Sequence, residues 1–128
     1  MEQYLIDTNV ISDYLSDCFS TNATNFLDEV IDALPNLSVI TQIELLCWKT
    51  STQKEKSIKD FIADSNILNI NEEVIANCIK LRKGKKVKTP DAIIAATAIV
   101  YGYTLITNNS KDFENIKSLK IINPFNLN

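Results

Sequence analysis

The chain contains no histidine. That single absence removes Ser-His-Asp triads, Cys-His dyads, imidazole metal ligands and histidine general acids from the available chemistry. Glycine is almost as scarce, with only Gly84 and Gly102, so no Gly-rich phosphate cradle of the Walker or dinucleotide type can form. The three cysteines, Cys18, Cys47 and Cys78, are far apart and odd in number. Lacking a CxxC pair, they suggest neither a zinc site nor a disulfide framework and read as buried or neutral thiols in a reducing compartment. Long apolar runs are missing too. The longest, Ala92 to Tyr103, is interrupted by Thr97 and is too short to span a bilayer. A strand-like Tyr4-Leu5-Ile6 begins almost at once and is closed by Asp7, so no signal peptide, no membrane contact and a cytoplasmic location are expected.

What remains is an ordinary globular composition. A chain of 128 residues, 45% hydrophobic and 23% charged, is expected to form one domain over residues 1–128 and to bury a core without metal or disulfide staples. The net charge is −3. An acidic balance argues against broad non-specific DNA binding without excluding nucleic acid as a partner.

Apolar periodicity alternates between strand and helix. Tyr4–Ile6 reads as a buried parallel strand, followed by a helix carrying Val10, Ile11, Tyr14 and Leu15 with Asp7 or Thr8 as its N-cap. A second helix is expected from about Asn22 to Leu34, stopped by Pro35, and then a strand from Leu37 to Ile40. Helices over Thr41–Trp48 and Lys54–Asp64, a strand over Ile67–Ile70 and a helix over Glu72–Arg82 follow. The clearest helix has Thr89 as a cap, Pro90 in its first turn and Gly102 as a left-handed stop; between them the residues are apolar nearly all round, which predicts burial on most faces. Strands over Thr104–Ile106 and Leu119–Ile122 complete the pattern. Alternating strands and helices predict a three-layer α/β/α sandwich with a mostly parallel five-stranded sheet.

Four acids, Asp7, Glu44, Asp91 and Asp112, fall where predicted strands end or helices begin. In an open α/β sheet the strand ends converge on one crevice. Carboxylates gathered there repel one another unless a cation joins them, and an oxygen-only ligand set suits Mg²⁺ or Mn²⁺. Without these four groups the remaining charge would be +1, so the acidity is partly concentrated in them. Each also has a structural explanation. Asp7 can cap the first helix, Thr41-Gln42-Ile43-Glu44 matches a capping box, Asp91 sits in a first helical turn where the dipole favours it, and Asp112 can be surface. Asp91, however, opens an otherwise apolar helix, and Asp112 follows a strand within the polar loop Thr107-Asn108-Asn109-Ser110. An aspartate-nucleophile phosphatase would need an aspartate where Asn9 stands. A receiver domain would need a lysine where Asn123-Pro124 follows the last strand.

The segments Leu5-Ile6-Asp7-Thr8-Asn9, Thr41-Gln42-Ile43-Glu44-Leu45, Pro90-Asp91-Ala92-Ile93-Ile94-Ala95-Ala96 and Leu105-Ile106-Thr107-Asn108-Asn109-Ser110-Lys111-Asp112-Phe113, in that order, resemble PIN-domain ribonucleases, and most closely the VapC-type toxins of toxin–antitoxin pairs. The resemblance runs through nearly the whole chain and implies a single PIN domain over 1–128. It implies that Asp7 and Asp91 are principal ligands of Mg²⁺ or Mn²⁺, with Glu44 as the middle acid and Asp112 as the fourth. Thr8, Asn9, Thr107 and Asn109 match supporting polar positions. The implied activity is metal-dependent hydrolysis of RNA phosphodiester bonds; the alternative is a catalytically silent PIN-like RNA-binding or assembly module whose acids cap helices. A homodimer and a cognate VapB-like antitoxin are the implied partners, with Phe26, Leu27, Ile31, Leu46 and Trp48 as candidate contact surfaces.

Basic residues cluster once, at Lys80, Arg82, Lys83, Lys85, Lys86 and Lys88, just before Asp91. Lys83, Lys85, Lys86 and Lys88 read as contacts to the RNA backbone beside an acidic crevice, or else as a solvated loop. Tyr14, Trp48 and Phe113 could stack on bases, although burial is the commoner use of a tryptophan on an apolar helix face.

Overall fold

The structure, a computed structural model, describes residues 2–127. Strand β1 (Tyr4–Ile6) leads into helices α1 (Thr8–Leu15) and α2 (Thr21–Asp32), then β2 (Asn36–Ser38), α3 (Val39–Leu46) and α4 (Thr52–Ala63). Next come β3 (Asn66–Leu68), α5 (Glu72–Gly84), α6 (Thr89–Tyr101), β4 (Thr104–Ile106), the one-turn α7 (Ser110–Phe113), β5 (Ile121–Ile122) and a 3₁₀ turn at Pro124–Asn126. The sheet order is β3-β2-β1-β4-β5 and every pairing is parallel. The α/β sandwich read from the sequence is therefore present, with the sheet wholly parallel.

Side-chain alternation along the central strands creates two cores. Leu5 and Leu105 join Ala92, Ile94, Ala95, Ala98, Phe113 and Ile116 on one side of the sheet. Ile6 and Ile106 join Val10, Ile11, Leu27, Leu37, Leu45 and Ile58 on the other. The register pairs Leu5 with Leu105 and Ile6 with Ile106, so a one-residue slip would exchange the two cores wholesale. Helix α6 is buried at Ala92, Ile94, Ala95, Ala96, Thr97 and Ala98, as its composition predicts. Its alanines let α5 and β4 approach closely.

Several boundaries differ from the sequence expectation. The β-branched pair Val39-Ile40 suggests strand, yet β2 ends at Ser38 and α3 begins at Val39, because the Ser38 hydroxyl accepts a hydrogen bond from the Ile40 N–H at 3.1 Å. Thr41 is thus inside α3 and no capping box forms. Lys88, not Thr89, occupies the N-cap of α6, without a side-chain cap bond; Gly102 closes that helix in the left-handed region at φ +71° as expected. Helix α2 stops at Asp32, and the chain turns at Leu34, φ +76°, before Pro35 is reached. Strand β3 is Asn66–Leu68 because Asn71 then caps α5 through the Val74 N–H. Strand β5 is confined to Ile121–Ile122, with Leu119 held in the core outside it.

Two side-chain expectations are overturned. Phe113 is 1% exposed and belongs to the α6-side core, so it is not available to stack on bases. Leu27 is fully buried and cannot form part of a contact surface. Cys18 and Cys47 are exposed and Cys78 is half-buried; all three are free thiols, and none is in a disulfide. Trp48 packs against the β1–α2–α3 core, in keeping with its structural reading. Among the described residues no helix is long and apolar enough to cross a membrane.

Candidate active site at the carboxyl edge of the sheet

Because all five strands run parallel, their carboxyl ends share one edge. The chain adds strands outward from β1 in one direction through β2 and β3, then jumps back across β1 to place β4 and β5 on its other side. The crevice of such a fold opens at the switch between β1 and β4. Asp7 follows β1 and Thr107 follows β4, and both remain locked into the sheet by their backbones. The Asp7 N–H donates to the Ile106 carbonyl at 2.9 Å, and the Thr107 N–H donates to the Ile122 carbonyl at 3.0 Å.

Asp7 is 5% exposed and has both oxygens engaged. Its Oδ1 accepts the Thr8 N–H at 2.8 Å, capping α1, and its Oδ2 accepts the Thr107 hydroxyl at 2.8 Å. The Asn109 N–H in turn donates to Thr107 Oγ1 at 3.1 Å. A second relay supports Glu44. The Thr8 hydroxyl lies 2.7 Å from Glu44 Oε1 and 3.1 Å from the Thr41 hydroxyl. Thr8 has one proton, and the charged acceptor at shorter range takes it. Thr41, 0% exposed, therefore donates to Thr8 Oγ1. Each of these two carboxylates is thus aimed by a buried threonine. Thr41 escapes a sequence reading that treats it as a helix cap.

Asp91 stands in the first turn of α6, where the helix dipole favours a negative group, and it is half-buried. Asp112 sits in α7, exposed, rather than in an open loop. Electrostatics tie the four acids together. Burial pushes the Asp7 carboxyl above the ordinary aspartate range; the Thr107 and Thr8 hydrogen bonds pull it partly back, and Glu44 and Asp112 push it further up. Burial likewise raises Asp91, followed by repulsion from Asp7, Asp112 and Glu44, with Lys88 as the one opposing cation. Negative charge here is undercompensated by the protein.

The other sequence-predicted positions are distributed unevenly. Asn9 lies exposed on α1, and Asn109 is exposed at the start of α7, contributing its backbone N–H rather than a side-chain cap. Asn108, which the sequence does not single out, donates from Nδ2 to Asp13 Oδ2 on α1 at 2.5 Å and so ties the Thr107–Asn109 loop to the neighbouring helix. Lys83, Lys85, Lys86 and Lys88 are all exposed between the end of α5 and the start of α6. The Tyr14 hydroxyl is occupied by Asp28, and burial, with that hydrogen bond second, pushes it up to about 12.

The donor set is oxygen-only and anionic, which fits a hard divalent cation such as Mg²⁺ or Mn²⁺. As the side chains stand, no three acidic or thiol groups among the described residues form a finished coordination set. The raised carboxyls of Asp7 and Asp91 nevertheless mark the place where a cation would relieve the most repulsion.

With this geometry in view, the chain belongs to the PIN-domain family, which it matches over residues 4–119. Within that family its likeness is to the VapC type. Ribonuclease VapC1 of Methanocaldococcus jannaschii is 30% identical over 118 residues, covering 88% of this chain and 80% of that protein. A chain of a toxin–antitoxin complex from Klebsiella pneumoniae superposes with a TM-score of 0.74 at 30% identity, covering 95% of this chain and 98% of its own. VapBC2 from Rickettsia felis, bound to a DNA fragment from its promoter, gives 0.78 at 25% identity, with 94% and 97% covered.

The Thr8 relay makes its own prediction. Thr8→Val keeps the shape but removes the donor to Glu44 and the acceptor for buried Thr41. Loss of ~1–3 kcal/mol of stability is expected from the stranded hydroxyl. RNA cleavage should fall by roughly 10–100-fold, the usual effect of deleting a group that orients a ligand. Thr8→Ser should restore both. Equal rates for the wild type and the valine variant would remove Thr8 from any part in positioning Glu44.

Proposed function

We propose that this chain is a divalent-metal-dependent endoribonuclease and the toxin member of a toxin–antitoxin pair. One observation carries the reading: four carboxylates from four separate elements are electrostatically coupled at the β1–β4 switch point, with two of them aimed by threonine relays. Asp7, Glu44, Asp91 and Asp112 would hold Mg²⁺ or Mn²⁺. When bound, such an ion supplies positive charge against the phosphate and makes water acidic enough to act near neutral pH. Thr107 and Thr8 keep the carboxylates of Asp7 and Glu44 turned toward the crevice. Lys88, beside Asp91, moderates the field that an incoming phosphate meets. Hydrolysis joins the oxygen of water to phosphorus and releases the 3′ oxygen, leaving a 5′ phosphate. Water is the nucleophile, so the 2′-hydroxyl has no chemical duty and RNA preference rests on shape and contacts.

The partners follow from the same reading. A VapB-like antitoxin is proposed to cover apolar surface that includes Phe26, Ile31, Leu46 and Trp48, of which Leu46 is 47% exposed. A homodimer in the cytoplasm, acting as one PIN domain per chain, completes the proposal.

The competing reading, a silent module whose acids merely cap helices, is favoured by one fact: Asp7 does cap α1. It fails to explain Glu44, which lies well inside α3 and accepts from Thr8 rather than from its own helix start. Incubating antitoxin-free protein with several pools of cellular RNA, in Mg²⁺ or Mn²⁺ and in EDTA, decides between them. Metal-dependent cuts are expected. A folded protein that cuts none of the pools, and whose melting temperature is unmoved by Mn²⁺, would belong to the second class. Saturating metal at about 100 times its Kd should stabilise a true site by ~2.7 kcal/mol.

A further inference from the structure

Beside the carboxylate crevice, a strongly charged open cleft of about 500 Å³ lies between the loop that follows α5 and the segment around α7. Lys85 and Lys86 form one wall, and Lys111 and Lys117 the other. Two carboxylates, Asp112 and Glu114, oppose these four lysines, so the cleft is net positive, while the crevice next to it is net negative. A second groove of about 310 Å³ runs past Asn108, Asn109 and Ser110 and shares Lys111 and Asp112 with the first. The two concavities therefore adjoin at α7, beside Asp112, one of the four acids.

We propose that this cleft is a phosphate-backbone subsite, gripping the single-stranded RNA immediately beside the bond to be cut. The inference rests on the nuclease reading and adds to it a location and a binding mode. Both walls belong to segments that carry site acids, since the Lys85–Lys88 loop leads into Asp91 and Lys111 precedes Asp112. A strand that leaves the carboxylates past Asp112 would enter a cleft with cations on both sides. The volume suits a nucleotide-sized segment. Only Val87 and Ile116 supply apolar lining, and both are buried into the core behind it. No aromatic side chain lines the cleft, so bases are not stacked there and the grip is on phosphate, tolerant of sequence. Of the lysines anticipated from the sequence, Lys85 and Lys86 lie in this cleft and Lys83 and Lys88 do not. Lys111 and Lys117 come from a stretch with no basic run.

The test uses Lys111→Gln/Lys117→Gln, exposed positions at which the fold should be unaffected, with thermal melts as the control. On an oligoribonucleotide that the wild type cleaves, KM should rise by about 5–20-fold with kcat within about twofold. The slope of log affinity against log salt should shrink by roughly 1.4, about 0.7 for each single-strand phosphate that the protein no longer neutralises. The same weakening is expected whatever the bases flanking the cut. An unchanged KM and salt slope in an active enzyme would overturn the subsite while leaving the nuclease standing, and so would a fall in kcat alone. Should the wild type cleave nothing, equilibrium binding of a single-stranded oligoribonucleotide in EDTA decides. Weaker, less salt-dependent binding by the double variant would uphold the cleft as an RNA site, and identical binding would discard it.

Discussion

Asp7→Asn is expected to lower RNA cleavage by on the order of 10³-fold, the scale on which loss of a single electrostatic group in an active site is felt, while making the metal-free protein more stable. The two effects have one cause. Asparagine is nearly isosteric: its carbonyl oxygen can still cap α1 through the Thr8 N–H, and its amide can donate to Thr107 Oγ1. What it lacks is the charge. Burial, Glu44 and Asp112 all raise the Asp7 carboxyl. A carboxyl raised in the folded state contributes its full stability only below its unfolded value, ~3.9, and loses it as pH climbs through the folded value. At pH 7 in EDTA the wild type therefore carries a penalty that the variant escapes. A gain of ~1 kcal/mol would appear as roughly 2–8 °C in melting temperature. The gap should narrow as pH falls, because the raised carboxyl takes up its proton in the folded wild type before it would in the unfolded chain. Melts at pH 7.5 and pH 4 in EDTA, run beside the cleavage assay, check both halves. A variant that unfolds at pH 7.5 would make Asp7 first of all a structural cap, and one that still cuts would remove it from the site.

Phe113→Ala is expected to destabilise the chain by about 3–5 kcal/mol, the range for emptying a buried aromatic site. Set against a typical total of ~5–15 kcal/mol, that is a large fraction. Phe113 is among the largest fully buried side chains, packed with Ala92, Ile94, Ile116 and Leu119 beneath α7. Its carbonyl also accepts the Ile116 N–H at 3.1 Å, starting the turns that carry the chain to β5. Truncation should therefore loosen Asp112 and the lysine cleft together, lowering activity and thermal stability in step. A base-stacking Phe113 would behave differently, with weaker RNA binding at an unchanged melting temperature. Phe113→Leu, which keeps most of the volume, should recover most of the stability.

Part of the site's outline is open in the primary structure, because two of its acids, Asp7 and Asp91, sit at element boundaries and those boundaries announce themselves. Asp7 closes a three-residue apolar strand, and Asp91 opens a helix bounded by Pro90 and Gly102. Local pattern suffices there, since strand period and helix punctuation act over a few residues. Where local signals compete, the structure chose. Val39-Ile40 favours strand and Thr41–Glu44 favours a capping box, yet the Ser38 cap starts α3 early and turns Glu44 toward Thr8. Lys88 stands at the N-cap of α6, where Thr89 had the better side chain for it.

From its sequence alone this protein is committed to an α/β sandwich, to chemistry without histidine or a glycine cradle, and to carboxylates at the strand ends. Those properties follow from composition and from periodicities of two and 3.6 residues, which any short window displays. Tertiary structure alone decided which threonine serves which acid, that Phe113 and Leu27 are core, and that Lys111 and Lys117 face Lys85 and Lys86 across one cleft. Pairings of that kind can join residues a hundred positions apart, as Asp7 and Thr107 are. They arise only when parallel strands bring distant loops to the same edge, where no local pattern reaches.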